Sequence, residues 1–514
     1  MQVQPLQSQL EDKSYNQLTQ SIWMGTTGVI LPAHLEESAT ADVCVVGAGI
    51  SGLTTAYLLT KAGRSVVVLD QHGIGGGETG RTTAHLTHVL DKRQFEMETI
   101  HGEDASRLAV QSHSKAIDFI EQIVADEEIE CEFERLDGYL LGPLEILEPE
   151  LKAVRASGLT GAVLTQGSPL PSLNPGYSLR FPNQAQFHPL KFATGLYQAI
   201  LRLGGRVYGG SRVAQIESGD PAKVVTAQGL SVKARAVVVA TNTPVNDILT
   251  VHTKQAAYRS YAVAALVHAP QFPRALYWDT GEPYHYARLA VCDDGGFLVA
   301  GGEDHKTGQD DDGASRVDRL ASWAHDHFPG AGKILYAWSG QIIESVDALA
   351  FIGRNPGDSP NIHVATGFSG NGMTYGVIAG MLISDLILGR TNPWEEIYKP
   401  SRVSLLAAPV FLRETGNVAA QYAGWVTPGE VSSIEEIPCE SGAVMRDGLR
   451  KLAVFRDRDG AIRRFSAVCP HFGCIVAWNS TERTWDCPCH GSRFSRYGQV
   501  LNGPAVKDLE SITP

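Results

Sequence analysis

The chain has 514 residues, 43% hydrophobic and 19% charged, with a formal net charge of −13. That length exceeds one hydrophobic core, so two or three domains are expected; a composition without low-complexity tracts excludes a disordered or fibrous protein. An acidic chain with no basic block excludes a nucleic-acid partner, because binding a polyanion rests on clustered Lys and Arg. The longest apolar runs, such as MLISDLILG at 381–389, fall short of the roughly 20 residues that cross a bilayer. The opening MQVQPLQSQLEDKSYNQ has neither the basic nor the apolar part of a secretion signal. A soluble, cytoplasmic protein without a transmembrane segment is expected.

Residues 1–40 read as an N-terminal extension. ADVCVVGAGISGLTTAYLLTKAGRSVVVLDQ at 41–71 then predicts an apolar strand, a glycine turn, a helix ended by Gly63, and a second strand closing on Asp70. In this βαβ unit Gly47 permits the tight turn and Gly49 lets backbone approach a pyrophosphate. Ile50 and Ser51 open the helix whose free N–H groups face the phosphates, and Gly52 allows helix and strand to pack closely. Asp70, 18 positions after Gly52, is placed to accept a ribose hydroxyl. AVVVATNTP at 236–244 has a strand but no second glycine fingerprint, which argues against an NAD(P)H-dependent flavin reductase.

Residues 130–350 alternate short strands and turns, including ECEFERLDGYLLG with an Asp137-Gly138 hairpin signal and YARLAVCDDGGFLVAGG with a turn at 293–296. A mostly antiparallel sheet is expected. Polar aromatic and basic side chains gather in YRSY (Tyr258, Arg259, Tyr261), in YWDTGEPYHYAR (277–288) and in GGEDHKTGQ (301–309). Strand alternation sends Tyr284, Tyr286 and Arg288 to one face and His285 to the other. An arginine here, Arg259 or Arg288, could bind a substrate carboxylate bidentately and a tyrosine could orient an amine. No Ser/His/Asp arrangement or paired carboxylates support hydrolysis.

Residues 396–424 lose the sheet pattern and read as a linker, part helix; a small all-β domain follows from Trp425, with a turn in RDRDGAIRRF at 456–465. Cys44, Cys131, Cys292 and Cys439 are scattered and expected to be buried apolar residues. Cys469, Cys474, Cys487 and Cys489 lie within 21 positions, in CPHFGC (469–474) and CPCHGSRF (487–494), and need a chemical reason. Two Cys and two His could hold zinc. Cys469-x-His471 followed, after 15 residues, by Cys487-x-x-His490 instead resembles the Rieske [2Fe-2S] domain, in which two cysteines hold one iron and two histidines the other.

The resemblance implies Cys469, His471, Cys487 and His490 as cluster ligands. It also implies a Cys474–Cys489 disulfide tying the two cluster loops, as in Rieske proteins of quinol-oxidising complexes. Ser492 matches a serine that hydrogen-bonds a cluster sulfur, and NGPAV at 502–506 the loop that covers the cluster. Phe494 stands where the high-potential members have tyrosine, so a lower potential is expected.

GIGGGETGRTTAHLT at 73–87 and DALAFIGRNPGDSPNIHVATGFSGNGMTYGVIAGMLISDLILG at 347–389 resemble the D-amino acid oxidase (DAO) family of FAD enzymes, over roughly 20–395. The resemblance implies an α/β Rossmann-like FAD-binding domain interleaved with an antiparallel-sheet substrate domain over 41–395, with the Rieske domain at 425–514. FAD contacts are expected from Gly80, Arg81, Thr82 and His85, and from Gly367, Gly370, Asn371, Gly372 and Met373. There a strand (361–366), a glycine loop and a helix (373–388) point the helix N-terminus at the flavin. Asp347 matches an acidic residue near this contact or lies in a surface turn. His85 falls where the dimethylglycine dehydrogenase branch attaches flavin covalently, although Ala84 replaces that branch's tryptophan.

Together these features imply oxidation of a small amine or amino acid at FAD, with electrons leaving singly through the cluster to an external protein or quinone acceptor. A reductase with reversed flow and a non-catalytic redox sensor are the alternatives. A Rieske oxygenase is disfavoured because no two-His-one-carboxylate iron site is evident.

Overall fold

The computed structural model describes residues 20–173, 176–246, 251–267, 272–292 and 295–512. Strand Ala39–Val46 pairs in parallel with Val66–Leu69 on one side and Ser231–Val239 on the other, with Arg206–Tyr208 and Ile362–Thr366 extending the parallel set. Phe351–Arg354 adds an antiparallel edge. The central strands carry continuous apolar runs, VCVV at 43–46, VVVL at 66–69 and AVVV at 236–239, because both faces of a parallel sheet are covered there. Helix Ile50–Lys61 covers one face and is itself crossed by helix Gly372–Leu388. Gly376 and Gly380 make that crossing possible, since a Cβ on either would lie 2.5 Å from Ile50 or Thr54.

The stretch 369–388 is, among the described residues, the one helical segment long and apolar enough to cross a membrane, which the short apolar runs did not suggest. It is 61% buried inside the protein, as a core helix is.

The second sheet runs in the order Ile334–Ser345, Gln255–Val267, Gly295–Lys306, His285–Cys292, Leu276–Asp279, Glu134–Gly142, Tyr177–Gln186, His85–Leu86, antiparallel apart from the pair 276–279 with 134–142. Two expectations change here. Asp137-Gly138 does not turn a hairpin: 134–142 is one strand whose register shifts between Leu136 and Gly138, a bulge. The Trp278 ring covers Gly138, where a Cβ would come within 2.6 Å, so the glycine serves packing. Cys292 pairs directly with Gly295, which leaves only 293 and 294 of the expected 293–296 turn, both outside the described residues.

The linker is a docked strut. It contains helices Glu395–Tyr398 and Ala408–Gln421; buried Glu414 pairs with Lys306, and Asn417 bonds Gln309. Beyond it stand a three-stranded sheet (Ser441–Asp447, Arg450–Arg456, Ile462–Ser466) and a four-stranded one (Ala477–Asn479, Thr484–Asp486, Arg493–Ser495, Val500–Asn502). Cys44 and Cys131 are buried as expected, whereas Cys439, in the loop before the first of these strands, is exposed.

Candidate active site and cluster site

A cavity of about 990 Å3 is lined by the glycine turn, by both sheets of the N-terminal region, by the start of helix 372–388 and by residues 500–506 of the C-terminal domain. Gly47 has φ +109, and a Cβ there would lie 2.4 Å from the Ala240 carbonyl, so the turn holds a shape no side chain permits. The Asp70 carboxylate closes this end, accepting from the amides of Ala48 (2.7 Å), His72 (2.6 Å) and Gly73 (2.7 Å).

The cavity wall includes Gly47, Gly49, Ile50, Ser51, Asp70, Arg81, Thr82, His85, Gly370, Asn371, Gly372 and Met373. Gly52, Gly80 and Gly367 stand behind it: Gly52 meets Gly47, and the Gly80 carbonyl accepts from Ser21. Asn371 braces the loop from within, donating to Thr87 and the Val89 carbonyl and accepting from the Asp91 amide. Burial pushes the His85 imidazole down to about 3, so it is neutral, and its Nε2 has no hydrogen-bond partner among the described residues. Asp347 is away from the wall: burial would raise its carboxyl, but the bidentate Arg402 holds it below the usual range.

At the other end Tyr284 and Tyr286 line the cavity, stacked with ring centroids 5.6 Å apart, and Tyr286 meets His85 edge-on. The other three residues expected in this pocket lie elsewhere. His285 points to the opposite face, against Trp323 and between Asp279 and Glu303. Arg288 shares the tyrosines' face but is fully buried, donating to the carbonyls of Thr83 and Phe187 and to Gln186. Arg259 turns away while its neighbour Ser260 enters the cavity, because strand residues alternate.

What the sequence pattern missed is a set of carboxylates: Asp91, Asp304 and Glu344 line the wall beside the tyrosines. Burial pushes Asp304 and Glu344 each up to about 7 and raises Asp91 too. Asp304 lay inside GGEDHKTGQ, but only its pairing in strand 295–306 brings it beside Asp91, more than 200 residues earlier.

In the C-terminal domain the Cys469 and Cys487 thiols are buried and hydrogen-bonded to each other, which holds Cys469 below its ordinary range. The His471 and His490 rings lie 5.0 Å apart. Both nitrogens of His471 and Nδ1 of His490 are buried with no hydrogen-bond partner among the described residues. Soft thiolates on one side and orphaned imidazole nitrogens on the other fit a [2Fe-2S] cluster. Cys474 and Cys489 are joined as a disulfide, Cα atoms 6.4 Å apart.

Residues 42–386 match the FAD dependent oxidoreductase (DAO) family, and residues 425–513 match the Rieske [2Fe-2S] domain. The chain belongs to the DAO family and carries a Rieske domain. The Rieske 2Fe-2S iron-sulfur protein YhfW of Bacillus subtilis (strain 168) is 33% identical over 96% of this chain and 97% of its own length. Gamma-glutamylputrescine oxidoreductase of Escherichia coli (strain K12) is 28% identical over 69% of this chain and 85% of its own. Glycine oxidase from Geobacillus kaustophilus shares the fold, with a TM-score of 0.58 and 16% identity over 71% of this chain and all of that one. FAD and a [2Fe-2S] cluster are accordingly the cofactors, and the glycine cradle and orphaned nitrogens fit them.

The Rieske domain is seated on the DAO domain through buried polar contacts. Glu482 lies 2.5 Å from Arg259 and 2.8 Å from Arg493, with all three side chains buried. Gln341 donates to the Gly491 carbonyl at 2.7 Å. Gly491 has φ +77, and a Cβ there would lie 2.4 Å from Ala257, so the glycine allows the cluster loop to touch strand 255–267. Ser492 accepts from the Ala505 amide at 3.0 Å and is hydrogen-bonded to Cys469, linking the 502–506 loop to the sulfur of a candidate ligand. Phe494 is fully buried and brings no hydroxyl. Phe494→Tyr is therefore expected to raise the cluster's midpoint potential and Ser492→Ala to lower it, read by redox titration; an unchanged potential in both would remove hydrogen bonding as the tuning device.

Proposed function

We propose that the protein dehydrogenates a small amine or amino acid at its C–N bond in the cytoplasm and delivers the electrons through the Rieske domain to an external acceptor. When bound, FAD supplies two-electron hydride acceptance and the cluster one-electron transfer. The observation that carries this reading is that both domains close one cavity, residues 500–506 of the Rieske domain meeting the DAO wall.

Asp91, Asp304 and Glu344 favour a protonated amine over a substrate recognised through its carboxylate, since Arg259 and Arg288 are committed elsewhere. Asp304 Oδ1 is buried without a hydrogen-bond partner among the described residues and is the atom suited to take the ammonium proton. Ser260, hydrogen-bonded to Asp304 and 3.4 Å from the Tyr286 hydroxyl, would hold that tyrosine over the reacting carbon. Lys92, Arg93 and Arg413 also face the cavity and limit its negative charge.

Carboxyls at about 7 are mostly neutral below that pH and ionised above it. For a cationic amine, kcat/KM should rise as pH rises through about 7, and Asp304→Asn should flatten the rise. The test is anaerobic titration with secondary, tertiary and diamines and with amino acids, followed by absorption. Flavin bleaching by an amine without added reductant supports the reading. If no compound in the panel reduces the flavin, reversed flow replaces it.

A further inference from the structure

We propose that His252 of the DAO domain is the contact through which electrons enter the Rieske cluster. This rests on the forward relay above. Three histidine rings converge where the domains meet: His252 lies edge-on to His471 at 5.0 Å between centroids and to His490 at 6.1 Å, and these two lie 5.0 Å from each other. His252 is 2% exposed and sits in the short turn His252–Lys254 that leads into strand 255–267. The His471 and His490 rings, which would hold one iron of the cluster, are therefore turned into the DAO domain.

From His252 a bonded path leads to the flavin cavity. Its Nδ1 lies 3.4 Å from Gln255 Nε2, and Gln255 Oε1 accepts from Thr366 Oγ1 at 3.1 Å. Thr366 Oγ1 also approaches the carbonyl of Asn242, at 2.6 Å, and Asn242 lines the cavity. Gln255 is also paired in the sheet with Ser345, another wall residue. Covalent and hydrogen-bonded links replace gaps along this route.

Each passage moves one electron. The reduced flavin is oxidised by one, the diferric cluster becomes ferric–ferrous, and a flavin proton leaves to solvent. An external one-electron carrier protein then empties the cluster before the second electron follows. His252 is a positioning residue in this scheme, since it touches the rings of His471 and His490, the residues that would hold the iron.

The test uses the full-length protein with both cofactors. Bound flavin is photoreduced with EDTA as the sacrificial donor, and the reduced cluster is followed by freeze-quench EPR, which needs no substrate. His252→Leu is expected to slow filling of the cluster about 10-fold or more, the usual scale for losing a partner of a metal ligand, with flavin content and the EPR line shape unchanged. His252→Phe, which keeps a ring against both histidines, should recover part of the rate. An unchanged rate in His252→Leu overturns the proposal. If that variant loses its cluster, Gln255→Leu is read in its place, and the same slowing or its absence decides. Because electrons come from light, a failed amine panel and a failed relay give different results.

Discussion

Glu482→Ala is expected to destabilise the protein by about 3–5 kcal/mol, the cost of stripping one partner from a buried ion pair. Arg259 is fully buried and Arg493 nearly so, and without Glu482 two guanidinium groups would face each other at the domain boundary. Burial alone would raise the Glu482 carboxyl; Arg259, then Arg493 and Arg81, hold it at about 2. The folded value lies below the unfolded one, so the unfolded chain binds more protons in between. The pair's contribution is complete above about 4.5 and is lost as pH falls towards 2. Denaturant unfolding at pH 7, followed separately by flavin fluorescence and cluster absorbance, measures the loss. Glu482→Gln, which keeps the shape and removes the charge, should behave similarly; a loss below about 1 kcal/mol in both would reduce the pair to surface value.

Gly52→Ala should give a protein that keeps its cluster and lacks flavin. The added Cβ would lie 1.9 Å from the Gly47 carbonyl, so helix 50–61 must withdraw from the turn that lines the cavity. Overpacking of this kind costs about 1–3 kcal/mol, and the displacement falls on Gly47 and Gly49, where backbone must approach the cofactor. Cys469 and Cys487, the candidate cluster cysteines, belong to a separate core and are untouched. Absorption spectra and acid-released flavin quantify the outcome. A stoichiometric flavin content would show that the turn is not what holds it.

Local spacing made much of the site legible. Strand, glycine turn and helix at 41–61 are fixed by neighbours in sequence, and so are the two cluster boxes, because ligands on short loops must sit a few residues apart. Alternation correctly separated His285 from Tyr284 and Tyr286, since that requires only a period of two. Asp137-Gly138 misled because a turn signal and a bulge use the same residues, and the ring of Trp278, far along the chain, decides between them.

The sequence by itself determined that there are two redox modules, and its local spacing pointed to the glycine turn at 47–52 and to Cys469, His471, Cys487 and His490 as the candidate cluster ligands. Only the tertiary structure decided that Arg259 answers Glu482 instead of a substrate, that Asp91, Asp304 and Glu344 share one wall, and that His252 meets His471 and His490. Arg259 and Glu482, Asp91 and Asp304, and His252 and His471 each lie more than 200 positions apart. Which of them meet is set by sheet pairing and domain docking, where shifting a strand by one residue sends every side chain to the other face.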